Sequence, residues 1–355
     1  MVTQEVFIQL VHMGIGHSAD QISGEIDWEA LRALAERQGL AAIVVDGVEQ
    51  LPIDQRPPKK QLLQWIGEVL QGYEYRYELY RRAIAEMASF YNSHGYKMMV
   101  LKGFACSLDW PKPEHRPCGD IDIWLFGKQK EADAVLVKEK GIEIDNGHHH
   151  HTMFYWRDFM VENHYDFVNV YAHKSSRELE KVFKKLGEDE SHTTELYGET
   201  VYLPSENLNA LFLIRHLLIH FVSNEINLRQ LIDWGFFVKN HTKEVDWKWL
   251  LGVIDEYHMS TFVNCINAIC VEDLGFDVVI FPKVQFDPIL KSRVLKDIMS
   301  TKSTEESSRG LISRVIYKCR RWKANGWKYE LCFNESRWAS FWSSVWAHIV
   351  KPSSI

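Results

Sequence analysis

Gly119-Asp120-Ile121-Asp122-Ile123-Trp124-Leu125-Phe126 places two carboxylates in an otherwise apolar run. Side chains along a strand alternate between faces, so the spacing predicts a strand with Asp120 and Asp122 on one side and Ile121 and Ile123 in the core. Two carboxylates a few ångströms apart repel each other and are costly in a mostly buried strand. A divalent cation between them makes the arrangement favourable, and hard oxygen ligands on a rigid strand suit Mg²⁺, which completes its shell with water and phosphate. A D-x-D triplet also occurs at ordinary solvated strand ends, so its neighbours decide its meaning.

Upstream, Tyr96-Lys-Met-Met-Val-Leu-Lys102 is a short apolar run suited to a buried strand, and Gly103 opens a short helix over residues 104–109. Glycine at such a junction lets backbone approach a ligand closely, and free N–H groups at a helix start favour phosphate. Lys102 adds a positive charge at the same place. Standing alone, this feature reads as a plain tight turn. Downstream, residues 128–140 form a charged helix closed by Gly141, followed by strands over residues 149–156 and 159–170. Within Met160-Val-Glu-Asn-His-Tyr-Asp-Phe167, Glu162, His164 and Asp166 share one face. Glu162 is the preferred third carboxylate, able to activate a hydroxyl or complete a metal site.

The flanking sequence is helical. Residues 1–90 carry helix signals, beginning with the N-cap candidate Asp27 and including a long amphipathic stretch over 61–94 that Gly95 ends. Helices are predicted again over 206–222, 228–240 and 247–258, with 259–300 ambiguous and 301–308 a Ser/Thr/Glu-rich linker. The domain reading is therefore a helical region at 1–90, an α/β core at 91–202, a helical domain at 203–300 and a basic, aromatic tail at 301–355.

The chain has 355 residues, 46% hydrophobic and 25% charged, enough for roughly two domains without disulfide staples. Its net charge of −7 argues against a dedicated duplex-DNA binder. That charge is uneven: residues 309–355 carry nine Lys/Arg against two Glu, leaving −14 on the remainder. Six cysteines without a C-x-x-C pair argue for reduced thiols rather than zinc or disulfides. No basic leader with a long apolar core and no transmembrane run is evident, so a cytoplasmic location is expected.

Leu101-Lys102-Gly103, then Arg116-x-x-x-Asp120-Ile-Asp-Ile, then Val161-Glu-Asn-His164-Tyr resemble the bacterial uncharacterised nucleotidyltransferases of the DNA-polymerase-β-type nucleotidyltransferase superfamily. His216, His220 and Leu228-Arg-Gln-Leu-Ile-Asp-Trp234 resemble that group's helical half, so the likeness covers about residues 25–260. The resemblance implies an α/β (α+β) fold: a small mixed-sheet nucleotidyltransferase core flanked by N-terminal helices and a C-terminal helical domain, with a cleft between sheet and helices. It implies an enzyme that moves a nucleoside monophosphate from an NTP donor to a hydroxyl acceptor, a small molecule or a protein. Asp120, Asp122 and Glu162 would be catalytic and hold Mg²⁺, or Mn²⁺ in its place. Lys102, Gly103, Ser107, Arg116, His164, His216, Arg229 and Asp233 would face the nucleotide. Asp122→Asn is expected to abolish turnover and leave the fold intact. The wider superfamily has a second small residue after the first glycine, where this chain has Phe104, and Lys102 or Ser107 would supply the phosphate grip instead. Two alternatives follow from that departure and from the family: an antitoxin-like module that adenylylates or binds a partner protein, and a nucleotide-binding protein that has lost catalysis.

Three features have ordinary readings beside functional ones. The His148-His149-His150-His151 tetrad reads as an exposed turn and strand edge, with acceptor contact or a zinc site as alternatives. His216/His220 and Arg229/Asp233 stand at i, i+4 spacing, which suits a hydrogen-bonded helix face or an ion pair as well as ligand contact. The tail's Trp322, Trp327, Trp338, Trp342 and Trp346 among lysines and arginines suit single-stranded nucleic acid or an anionic lipid surface. The favoured reading is a helix docked on the acidic body.

Overall fold

The computed structural model describes residues 2–17, 22, 24–171, 173–223, 226–282, 285–300, 320 and 322–350, with the side chains of 2 and 344–350 outside the description. The linker predicted at 301–308, the first part of the basic tail and the Trp346 side chain therefore lie outside the described residues. The chain forms two compact units, Met1–Val69 with Ile214–Asn334, and Leu70–Leu213 with Glu335–Ile355. In chain order the helices are α1 Val2–Gly14, α2 Trp28–Arg37, α3 Ala41–Gln50, α4 Lys59–Val69, α5 Arg76–Ser93, α6 Gly103–Ser107, α7 Gln129–Lys140, α8 Lys174–Leu186 and α9 Glu206–Ser223. Six more follow: α10 Leu228–His241, α11 Trp247–Glu256, α12 Ser260–Glu272, α13 Pro288–Met299, α14 Gly326–Cys332 and α15 Arg337–Val350.

The first unit is helical. Asp27 caps α2 by accepting the Ala30 N–H at 3.0 Å, as its position before an apolar periodic run predicts. Helices α1 and α3 press backbone to backbone. A Cβ on Gly14 would fall 2.0 Å from the Ile43 carbonyl oxygen, and one on Gly47 would fall 2.1 Å from that of Leu10. Part of the basic tail folds here. The Arg293 guanidinium stacks 4.0 Å from the Trp327 ring, and buried Lys328 pairs with Asp297.

The second unit holds a six-stranded mixed sheet of order β3-β4-β2-β1-β6-β5. Its strands are β1 Met99–Leu101, β2 Ile121–Trp124, β3 His151–Trp156, β4 Phe159–His164, β5 Thr193–Leu196 and β6 Glu199–Tyr202. β2 runs antiparallel to β1 and parallel to β4, while β3 and β4 form a hairpin. One face is hydrophobic: Val100, Ile121, Ile123, Val161 and Val201 pack with α5 residues such as Tyr80, Ile84 and Tyr91 and with Ala132 and Leu136 of α7. A buried polar knot ties α7 to β3 and β4. Asp133 accepts from Asn163 and Thr152, each at 2.8 Å. Strict alternation then sends Asp122, Glu162 and His164 to the other face.

Several boundaries differ from the sequence expectation. The first strand is three residues long, and β2 begins at Ile121, so Asp120 precedes the strand rather than lying in it. β4 ends at His164 because residues 165–168 bend away. The long helix predicted over 61–94 is interrupted by a π-helical turn at Leu70–Tyr75. Among the described residues the five cysteines are free, and no helix is long and apolar enough to cross a membrane.

Candidate functional site

The register across three strands builds the site. Leu101 on β1 is opposite Asp122 on β2, and Asp122 is opposite Glu162 on β4. Lys102 follows β1 directly, so its side chain comes to the same place. Its Nζ lies 2.6 Å from Asp122 Oδ1, with only 15% of the Lys102 side chain and 3% of the Asp122 side chain exposed. Lys102 takes φ 43° and ψ −114°, a left-handed conformation that costs a non-glycine residue about 1–3 kcal/mol. The chain accepts that strain at the residue that pairs with the buried carboxylate.

Gly103 is required by close approach, not by its dihedrals. A Cβ there would stand 2.5 Å from the Tyr80 hydroxyl, which donates to the Asp120 carbonyl at 2.9 Å. That bond fixes the entry to β2. Phe104 is part of the hydrophobic core. Ser107 is buried, and its hydroxyl donates to the Phe104 carbonyl at 2.6 Å and lies 2.9 Å from the Tyr77 hydroxyl. Its hydrogen-bonding capacity thus serves the fold.

His164 is oriented by its own turn. Its Nδ1 faces the Asp166 carbonyl oxygen, an acceptor, at 3.1 Å. Its Nε2 faces Asp122 Oδ1 at 3.0 Å and stands 3.7 Å from Glu162 Oε2. His151, opposite His164 in the hairpin, puts Nε2 3.7 Å from Glu162 Oε1.

The electrostatics follow from burial around two carboxylates and one ammonium. Burial alone would raise the Asp122 carboxyl, but Lys102 and then His164 hold it well below the ordinary carboxylate range. Burial works against the Lys102 ammonium, yet Asp122, Glu162 and Asp120 outweigh it and hold its pKa above the usual value. Glu162 is pushed up to about 8, first by burial and then by the charge on Asp122. His150 and His151 are held down at about 2 and about 3, mainly by burial and then by His164.

One donor atom from each of Asp122, Glu162 and His164 lies within 4.8 Å of the others. Two hard carboxylates and an imidazole whose other nitrogen is tied to a backbone carbonyl form a donor set suited to a divalent cation. The raised Glu162 carboxyl marks the charge conflict that such a cation relieves, so these residues fit a divalent metal. Asp120, half-buried ahead of β2, stands outside this close triad. Asp166 pairs instead with Lys184 at 2.5 Å. Arg116 is buried, and its Nη1 donates to the Pro117 carbonyl at 3.4 Å. A cavity of about 570 Å³, the size of a small-molecule site, is lined by Trp124, Phe126, Lys130, Tyr165 and Lys184 among others.

The remaining residues singled out in the sequence belong to the helical unit. His216 and His220 on α9 bring their rings to 4.2 Å. Asp233 on α10 is buried, and the Arg229 backbone N–H donates to the Gln38 carbonyl at 3.3 Å. Tyr80 went unnoticed in the sequence because only packing of α5 on the sheet brings it to Asp120. The place of His151 was also hidden, since it depends on hairpin register.

A mixed α/β sheet with helices against it and a close carboxylate pair on its strands is consistent with a nucleotidyltransferase-type enzyme. The chain belongs to the uncharacterised nucleotidyltransferase family, whose model matches residues 24–275. It is accordingly a transferase of nucleotidyl groups. No curated protein and no solved structure gives a significant match.

Proposed function

We propose that the chain uses a polymerase-β-type core and Mg²⁺ or Mn²⁺ to transfer a nucleoside monophosphate from an NTP to a hydroxyl on a small molecule or protein. The observation that carries this reading is the β1–β2–β4 register, which supports Lys102, Asp122, Glu162 and His164 acting on one ligand. Asp122, Glu162 and His164 would hold the metal, with Asp120 a further carboxylate beside the pair. Bound there, the cation would neutralise phosphate charge and lower the pKa of a hydroxyl.

In this reading the acceptor oxygen bonds to the α-phosphorus as the bond to the bridging oxygen breaks and pyrophosphate departs. Glu162 receives the acceptor's proton. Lys102 exchanges its pairing with Asp122 for the phosphate chain, and Arg116 is a second candidate for that charge. Gly103 keeps the turn narrow, while His164 orients the carboxylates. His216, Arg229 and Asp233 are proposed to bind nucleotide on the strength of the family likeness.

The test is thermal stabilisation by ATP, GTP, CTP and UTP with Mg²⁺ or with EDTA, followed by pyrophosphate release with the stabilising nucleotide. The comparison variant is Glu162→Gln, which keeps size and removes the base. Metal-dependent stabilisation by one nucleotide, with release falling at least about 100-fold in the variant, supports the reading. Stabilisation without any pyrophosphate release from the wild type would mark a protein that only binds nucleotide. No stabilisation by any of the four would reject the reading.

A further inference from the structure

Beside the carboxylates lies a second group of donors made of nitrogen alone. One ring nitrogen from each of His150, His151 and His164 lies within 4.8 Å of the other two. The ring centroids are 4.4 Å apart for His150–His151, 5.6 Å for His150–His164 and 5.5 Å for His151–His164. His151 and His164 are 5% and 2% exposed.

The cluster is built from several directions. His151 and His164 are register partners in the β3–β4 hairpin. The His150 carbonyl accepts the N–H groups of Tyr165 at 3.0 Å and Asp166 at 3.1 Å, which clamps the approach to β3 against the turn after β4. The Tyr165 hydroxyl donates to the His148 carbonyl at 2.9 Å, and the His148 ring stacks on His151 at 4.5 Å. Three imidazoles are thus held by backbone bonds rather than left to chance.

Within this fixed frame, Nδ1 of His150 and Nδ1 of His151 are buried and have no hydrogen-bond partner among the described residues. A buried polar atom without a partner costs about 1–3 kcal/mol, and such atoms in a native fold call for a specific occupant. Packing alone would be served as well by aromatic rings without nitrogen.

We propose that His150, His151 and His164 form a binding site for a borderline divalent transition-metal ion, of the zinc class, which competes for His164 with the oxygen-rich position at Asp122 and Glu162. Three nitrogens suit zinc, cobalt or nickel over magnesium, which takes oxygen ligands. Nitrogens bound at 2.0–2.1 Å in tetrahedral geometry stand about 3.4 Å apart, so small ring rotations close the cluster on an ion. Three protein ligands leave a fourth position for water or a substrate atom. The site shares His164 with the carboxylates but does not depend on nucleotidyl transfer, and its test reads metal alone.

The experiment uses the full chain without an affinity tag, stripped with chelator and titrated with Co²⁺ and then Zn²⁺. One equivalent of Co²⁺ should give the intense visible band of a low-coordinate nitrogen site, and Zn²⁺ should displace it. Mg²⁺ at large excess should not. His150→Gln/His151→Gln should lose the band and weaken Zn²⁺ binding by about 100-fold or more. The half-buried single variant His150→Gln is carried beside it, and circular dichroism confirms that both fold. Asp120→Asn should keep the band. A wild type that binds Zn²⁺ no more tightly than the double variant overturns the site. So does a Co²⁺ spectrum of the weak octahedral kind, or a band that survives loss of both histidines.

Discussion

Lys102 and Asp122 form a buried ion pair at the centre of the site, and each depends on the other for burial. Removing one partner of such a pair leaves an uncompensated charge, at a cost of about 3–5 kcal/mol. Asp122→Asn is therefore expected to lose about 3 kcal/mol of stability, contrary to the expectation from sequence that this substitution spares the fold. Lys102→Met/Asp122→Asn should recover most of the loss, and urea unfolding of the three variants measures it. Equal losses in single and double variants would remove the pair from the account. Glu162 gives a pH signature. Folding raises its carboxyl from an ordinary 4.5 to about 8, so the folded state resists its ionisation. The associated stability is full below about pH 4.5 and is lost as pH rises through 8, by at most about 1.4 kcal/mol per unit. In metal-free protein, Glu162→Gln should flatten the fall in unfolding free energy between pH 5 and 8. Parallel profiles would contradict the assignment.

At the scale of elements, the junction of β1, α6 and β2 is decided by one contact. Gly103→Ala forces its methyl onto the Tyr80 hydroxyl, which must leave the Asp120 carbonyl or push β2 aside, a loss of about 1–3 kcal/mol. In a Tyr80→Phe background the nearest remaining ring atom is 3.6 Å away, so the same substitution should cost less than half as much in thermal or urea unfolding. The elements themselves were largely legible. Helix α7 with Gly141, the cap at Asp27 and the apolar core of β2 all follow from local pattern. The β5–β6 hairpin was missed, although Thr193-Thr-Glu-Leu-Tyr-Gly-Glu-Thr-Val-Tyr202 carries the alternation and the two-residue Tyr197-Gly198 turn that announce one. Asp122, Glu162 and Lys102 were visible as chemistry. That His164 joins Asp122 and Glu162, while Asp120 precedes the strand, depends on where strands begin and how they pair. Such non-local register leaves no mark on any single segment.

Across the whole molecule the two units are interleaved in sequence, each built from two separated stretches. The final helix belongs to the unit that carries the site. Glu335 accepts the N–H groups of Lys174 at 3.0 Å and Ser175 at 2.9 Å, and Ser343 donates to the Tyr171 carbonyl at 2.7 Å. A residue near the end of the chain thus caps α8. Burial works to raise the Glu335 carboxyl, but these N–H bonds and nearby His173 hold it below the usual range. Glu335→Ala should cost about 1 kcal/mol and speed hydrogen exchange at the Lys174 and Ser175 amides. Unchanged exchange there would show that the cap contributes nothing. The tail divides between roles: Trp327 is covered, whereas Trp338 and Trp342 on α15 are 60% and 62% exposed, which departs from a fully docked tail. The remote cap also sets a timetable. Glu335 is made 160 residues after Ser175, roughly 8–32 s later at about 5–20 residues per second. During that interval the emerging polypeptide carries its carboxylates and histidines on a unit whose α8 has no lid over its first amides. Ribosome-bound chains, and any that stop short of residue 335, leave the Lys174 and Ser175 amides without their carboxylate.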